Sequence, residues 1–479
     1  MTVASQHTDE HLYERVAATI AHQIDRGTLR PGERIPSVRK LKTKLGVSLS
    51  TVLQAYMTLE DRGLVEARPQ SGYYVRLQPR ELPLEPSPSA PSPVATKVDI
   101  EELALSVHEH NVDPLIVPLG AATPASELLP TKKLYRILSA LCRRQESESN
   151  RYESSAGNME MRRQIARRSI DQGFNPAPED IIATSGCTEA LNLCLRAVTR
   201  AGDTVAVESP IYYGVLQILE ALNLKAIEVV TDPREGICPD ALASALRRRS
   251  VAAVFVQPNF QNPLGCCIPD KNKKVLVDLL AHRGIPLIED DIYGDLYFEG
   301  NRPKALKAYD RTGGVLLCSS FSKTLSPGFR VGWTVPGRFL QQVRRLKLTS
   351  SISTSTLPQM AIAEMLRSGG YDRHLRRVRK AYASQMQTMI HAVRRYFPEG
   401  TKVTRPLGGN VLWVEFPEGV DSLKLYDQAL QRRISIVPGP LFSPKRGYRR
   451  CIRLNGGNPW SEQIEDAMIV LGRLAARMV

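Results

Sequence analysis

Leu12, Val16, Ile20 and Ile24 recur every four residues, which predicts a helix with one apolar face that ends near Gly27. Arg30-Pro31-Gly32 predicts a turn. Ser37 is placed to cap a second helix over SVRKLKTKL, which Gly46 stops. A third helix is expected after Val47, capped by Ser48, with Val52, Tyr56 and Leu59 on one face up to Gly63. LVEARPQSGYYV reads as two short strands around a Pro-Gln-Ser-Gly turn, a β-hairpin. Three helices and a hairpin make a winged helix-turn-helix, assigned to residues 8–77.

The pattern then stops. Residues 79–97, PRELPLEPSPSAPSPVATK, hold six prolines and almost no large apolar side chains. Such a stretch buries too little surface to fold, and its prolines favour a semi-stiff extended form of ~3 Å per residue. It predicts a linker, drawn with the short acidic helix Asp99 to His108 as residues 78–113. From 114 to 479 apolar β-branched runs (DTVAVES, VAAVFVQP, IPLIEDD, GVLLCSS) alternate with helical stretches. That alternation predicts parallel strands covered by helices, an α/β domain. After about residue 336 long basic helices take over, with two short strands near Val411 to Phe416 and Cys451 to Leu454. A smaller α+β subdomain over 336–479 follows.

With 479 residues, more than one domain is expected. The formal net charge of +15 points weakly to polyanions, because residues 1–79 carry 11 Lys/Arg against 8 Asp/Glu and the rest is dispersed. The runs at Arg162–Arg168, Arg247–Arg249 and Arg373–Lys380 read as solvated helix faces. Eight cysteines without CxxC spacing suit a reducing compartment. The opening MTVASQHTDEHLY lacks a signal-peptide pattern, and no apolar run approaches the ~20 residues that span a bilayer. A soluble cytoplasmic protein is expected, with no membrane partner.

The third helix carries small polar side chains on its outer face and is shaped to enter a major groove. Arg39 on the second helix, with Ser48, Ser50, Thr51 and Gln54 on the third, projects away from the apolar face. Gly72 in the wing allows close approach of backbone to a phosphate or the minor groove. GERIPSVRKLKTKLGVSLSTVLQAYMTLEDRGLVEARPQSGYYV resembles the DNA-binding domain of GntR-type regulators, which implies double-stranded operator DNA as partner. This chain has Leu49 where that family often has arginine beside the cap, and Lys42 where it often has alanine.

Five segments carry the chemistry of the larger part. ATSGCTEALNL runs from a strand through Gly186 into a helix whose first N–H groups, on Cys187 and Thr188, face an anion at the positive end of the dipole. ESPIYYG offers Tyr212 at a strand's tip, PNFQNPLG sets Asn262 in a proline-rigid turn, and IEDDIYGD ends a strand with Asp290 and then Tyr293. No metal site is expected at that acidic pair. SSFSKTLSPGFRVGW frames Lys323 with Ser320 and Ser322 and follows it with Arg330. A buried lysine loses basicity and becomes a nucleophilic amine.

Together, and in this order, these segments resemble the fold-type I aminotransferases that depend on pyridoxal 5'-phosphate. The resemblance implies that Lys323 holds that cofactor through its amine and that Asp290 pairs with the pyridine nitrogen. It implies that Asn262 and Tyr293 meet the ring oxygen and that Tyr212 stacks on the ring. Gly186, Cys187, Thr188, Ser320, Ser322 and Arg330 would hold the phosphate, Tyr152 would reach a neighbouring subunit's phosphate, and Arg453 in CIRLNGG would clamp a substrate carboxylate. Joined, the halves resemble the MocR group of GntR regulators, which implies a homodimer in which DNA-binding units can cross to the partner. The expected function is regulation of transcription in response to the cofactor or to an amino acid or amine. Two alternatives stay open: an active aminotransferase with an accessory winged helix, and a winged helix used for protein contacts.

Overall fold

The computed structural model describes residues 12–25, 28–30, 32–61, 64–68, 71–75, 82–144 and 151–479. The expected stops at Gly27 and Gly63, the Pro31 turn position and residues Pro69 and Gln70 of the wing turn lie outside the described residues. Two compact units divide the chain at Leu82/Pro83.

In the first unit α1 (Leu12–Asp25), α2 (Val38–Leu45) and α3 (Leu49–Asp61) precede a hairpin of β1 (Val65–Arg68) and β2 (Gly72–Val75). Ser37 caps α2 by accepting the Lys40 N–H, and Gly46 closes it at φ 65°. Ser48 Oγ accepts the Thr51 N–H at 3.0 Å, so the cap of α3 forms where expected. Val52, Ala55, Tyr56 and Leu59 bury one face of α3 completely. Burying an aliphatic side chain of that size contributes roughly 1.5–3 kcal/mol. The Tyr56 hydroxyl is satisfied by donating to Pro36 O at 2.5 Å. The hairpin pairs Val65 with Val75 and Arg68 with Gly72.

The second unit is built on a nine-stranded sheet among the described residues. Lys225–Asp232, Thr204–Ser209, Ala253–Val256, Leu287–Asp290 and Val315–Ser320 run parallel in that spatial order. Gly332–Val335 then pairs antiparallel with both Val315–Ser320 and Ile182–Thr184, a reversal that the alternation did not predict. Strands such as Ala253–Val256 and Val315–Ser320 are buried throughout, as helices on both faces require. The smaller sheet has four strands where two were expected: Lys402–Val403, Val411–Glu415, Cys451–Asn455 and Val437–Pro438.

The largest correction concerns the linker. From Pro83 onward the segment belongs to the second unit, and the boundary expected at 114 is not found. Val403 N–H donates to Leu84 O at 2.9 Å, Glu85 pairs with Arg234 and Arg405, and Ser89 exchanges two hydrogen bonds with Thr231. β3 (Thr96–Lys97) adds an antiparallel strand to the sheet edge at Lys225 and Ala226. Pro86, Val98 and Ile100 are buried. The acidic helix is α4, Glu101–Val112, displaced toward the C-terminus from the expected Asp99–His108. A proline-rich segment cannot build a core, but its free carbonyls can accept hydrogen bonds from a finished domain, and composition does not register that.

Candidate functional site

The carboxyl ends of the parallel strands share one edge, where a doubly wound sheet opens a crevice. A cavity of about 370 Å³ lies there. Its lining brings together Cys187, Thr188, Tyr212, Asn262, Asp290, Tyr293, Ser320, Ser322, Lys323, Arg330 and Arg453, residues up to 266 positions apart in the chain. Gly186 stands beside them, behind Arg330. Tyr152 does not line the cavity and is 86% exposed.

At one end the helix Gly186–Val198 begins without a side-chain cap, so its first N–H groups face the cavity rim. Arg330 arches over it in the left-handed region (φ 52°) and donates to Ser322 Oγ at 3.4 Å and Ser185 O at 3.3 Å. Gly186 has φ 79°, and a Cβ there would stand 2.5 Å from Arg330 Nη2. Only glycine allows that guanidinium to lie against the helix start. Uncapped N–H groups, two buried serine hydroxyls and a guanidinium make a dianion cradle.

At the floor Asp290 is buried, and burial lifts its carboxyl to about 7. Its Oδ1 accepts the Ile292 N–H at 3.2 Å and the Cys187 thiol at 3.4 Å, and its Oδ2 accepts Gln257 Nε2 at 3.1 Å. Burial pushes the Cys187 thiol well up, which keeps it a neutral donor. A buried carboxylate without a cationic side chain bonded to it is costly, and a cation brought to it would relieve that cost.

Across from it Lys323 Nζ donates to Ala122 O at 2.6 Å. Burial, with Arg453 and Arg330 nearby, lowers its amine to about 8 against the opposing pull of Asp290. Such an amine is neutral in about one molecule in ten near pH 7, far more than an ordinary lysine, and is a competent nucleophile. Arg453 is 1% exposed: it donates to Asn262 Oδ1 at 3.3 Å and to Gly120 O, and its Nε has no partner. An orphaned, buried guanidinium N–H is a ready place for a carboxylate oxygen.

Several lining residues escaped the sequence reading. Ala121, Ala122 and Thr123 form a wall from the GAATP loop, Tyr213 sits beside Tyr212 with ring centroids 5.1 Å apart, and His108 reaches in from α4. Gln257 is the most consequential omission. It directly precedes PNFQNPLG at the end of Ala253–Val256, so its place beside that motif was the available signal. In the first unit Arg39, Ser48, Ser50 and Gln54 are exposed and Thr51 half-buried, while Ser48 Oγ is shared among the Ser50 and Thr51 hydroxyls and the helix cap. Gly72 has φ 100° and lies against Arg34.

Residues 125–468 match the family described as aminotransferase class I and II. The chain belongs to that family. Residues 12–75 match the bacterial regulatory proteins of the gntR family. The chain is 41% identical over 462 residues to the uncharacterized HTH-type transcriptional regulator YdcR of Escherichia coli K12, covering 96% of this chain and 98% of that protein. A second such regulator of the same organism, YjiR, is 39% identical over 467 residues, covering 97% and 99%. Among solved structures, a Pyrococcus horikoshii kynurenine aminotransferase in complex with PMP superposes with a TM-score of 0.73 at 28% identity, over 78% of this chain and 94% of that one. This aminotransferase-family chain therefore carries a GntR-type helix-turn-helix ahead of a fold-type I domain. Among its described residues no helix is long and apolar enough to cross a membrane.

Proposed function

We propose that this chain is a DNA-binding transcriptional regulator that holds pyridoxal 5'-phosphate in the cavity and responds to that cofactor or to an amino acid or amine. The observation that carries the reading is the convergence of Lys323, Asp290, Arg330 and Arg453 on one cavity, in a chain that also carries a winged helix-turn-helix. The site fits the cofactor: a cradle at Gly186 and Arg330 for a dianion, and a buried carboxylate whose cost a protonated ring nitrogen would relieve. Bound there, the cofactor supplies an electron-withdrawing ring and an aldehyde that takes up amines.

The protein's own groups have distinct tasks. Asp290 would hold the proton on the ring nitrogen, and Asn262 and Tyr293 would donate toward the ring oxygen. Tyr212 would cover a ring face, Lys323 would provide the amine, and Arg453 Nε would receive a carboxylate. Tyr152, largely exposed in a single chain, is assigned to the partner's phosphate cradle in a homodimer. Arg39, Ser48, Ser50, Thr51, Gln54 and Gly72 are assigned to operator DNA.

Purified protein should be yellow, bleach on borohydride treatment, and protect a segment upstream of its own gene from nuclease. A Lys323→Ala protein that still fixed the cofactor at another lysine would overturn the site. The second reading, slow or half-reaction transamination, is favoured by the lowered amine of Lys323. Steady-state turnover with pyruvate or 2-oxoglutarate and an amino-acid pool decides between an enzyme and a sensor.

A further inference from the structure

The segment that leads from the DNA-binding unit into the cavity domain reaches the cavity itself at His108 and, at three further places, bonds to elements that flank the cavity. His108, on α4, lines the cavity directly. Ile100 N–H, just before α4, donates to Glu220 Oε2 at 3.0 Å, and Glu220 sits on the helix Tyr213–Ala221 that starts beside Tyr212. Ser89 Oγ accepts the Thr231 N–H at 2.8 Å, and Thr231 Oγ1 in turn accepts the N–H of Ser209, three residues before Tyr212. Lys445 Nζ donates to Ser92 O at 2.8 Å and Arg446 Nε to Asp99 O at 3.2 Å. Those two cations follow Phe442, whose ring lies 5.6 Å from the Arg453 guanidinium.

We propose that residues 83–112 form a strap that reads the occupant of the cavity, with His108 touching the distal end of an effector. This rests on the reading of the cavity as a cofactor and amine site. The effector class is a primary amine with one carboxylate for Arg453 and a further polar group long enough to reach His108.

The strap suits a two-state element. Over its thirty residues it buries Pro86, Val98, Ile100, Ala104 and Val107 and is otherwise held by hydrogen bonds and by ion pairs to the exposed cations Arg234 and Arg446. Segments held in this way open at low free-energy cost. Opening would lengthen the tether of the DNA-binding unit by up to 30 residues and lower the effective concentration at which two such units meet two half-sites. A ligand that contacts His108 binds the docked state better, and only such differential affinity shifts an equilibrium.

The test uses full-length protein and three probes: pyridoxal phosphate, and the borohydride-reduced phosphopyridoxyl adducts of L-alanine and L-glutamate. Amide hydrogen exchange over residues 84–112 is compared at saturation, with occupancy read from the probe's absorbance. The glutamate adduct should slow exchange there by about ten-fold relative to pyridoxal phosphate, and the alanine adduct by less than about three-fold. His108→Ala at saturating glutamate adduct should show almost no slowing, and His108→Gln should recover part of it. Bound glutamate adduct with unchanged exchange, or undiminished slowing in His108→Ala, overturns the strap while leaving the cavity reading intact. Failure of every probe to bind overturns both.

Discussion

Gln257 ties Asp290 to Asn262: its Nε2 donates to Asp290 Oδ2 at 3.1 Å while its Oε1 accepts the Asn262 N–H at 2.6 Å. Its own N–H donates to the buried Glu208 at 2.9 Å. One side chain therefore sets the orientation of the carboxylate on the cavity floor and of the turn that carries Asn262.

Gln257→Leu should leave one carboxylate oxygen and one N–H buried without partners, at about 1–3 kcal/mol each. Cofactor affinity, followed by absorbance titration, should drop at least ten-fold if about 1.4 kcal/mol of that is felt on binding. Unchanged affinity would mean that Asp290 is held by Ile292 and Cys187 alone.

Gly186→Ala should also weaken binding, by a different route. The added methyl would meet Arg330 Nη2 at 2.5 Å and sit on backbone at φ 79°, so the guanidinium must leave the helix start. Inorganic phosphate and the cofactor should both bind less tightly, whereas a non-phosphorylated pyridoxal should lose little. Equal losses for pyridoxal and its phosphate would contradict the cradle.

The charge on Asp290 should be visible in stability. Its folded-state value is raised from 3.8 to about 7, so its contribution to stability is fully present below about 4 and is lost as pH rises through about 7. The full loss is on the order of 4 kcal/mol in cofactor-free protein. Asp290→Asn should therefore melt higher than wild type at pH 8, with the gap closing toward pH 4. Because Glu208 titrates in the same direction, at about 8, the difference between the two proteins isolates Asp290. A gap independent of pH would show that the carboxylate is not ionising in this range.

Operator binding should depend on Arg39 and Thr51, each loss costing on the order of 1–3 kcal/mol at a base-contacting position. It should also weaken steeply with salt, as phosphate contacts release counterions. An unchanged footprint in the Arg39→Ala, Thr51→Ala double variant would place the reading surface elsewhere.

The winged helix and most of the cavity residues were legible in the order of the amino acids. Apolar spacing set α1 to α3, Ser37 and Ser48 marked the starts of α2 and α3, and short motifs at strand ends carried Lys323, Asp290, Asn262 and Arg330. Those signals are local: a cap, a period or a strand-end loop is written within a few residues. What depends on distant partners emerged only from the folded chain. Gln257 is one amide among many until its strand is placed beside Leu287–Asp290. Ala122 is a small loop residue until its carbonyl meets Lys323. Residues 83–97 resemble a free linker because their composition cannot form a core. They dock because the finished domain presents Thr231, Val403, Lys445 and the edge at Lys225 to their carbonyls and hydroxyls, and backbone hydrogen bonding of that kind leaves no trace in the order of side chains.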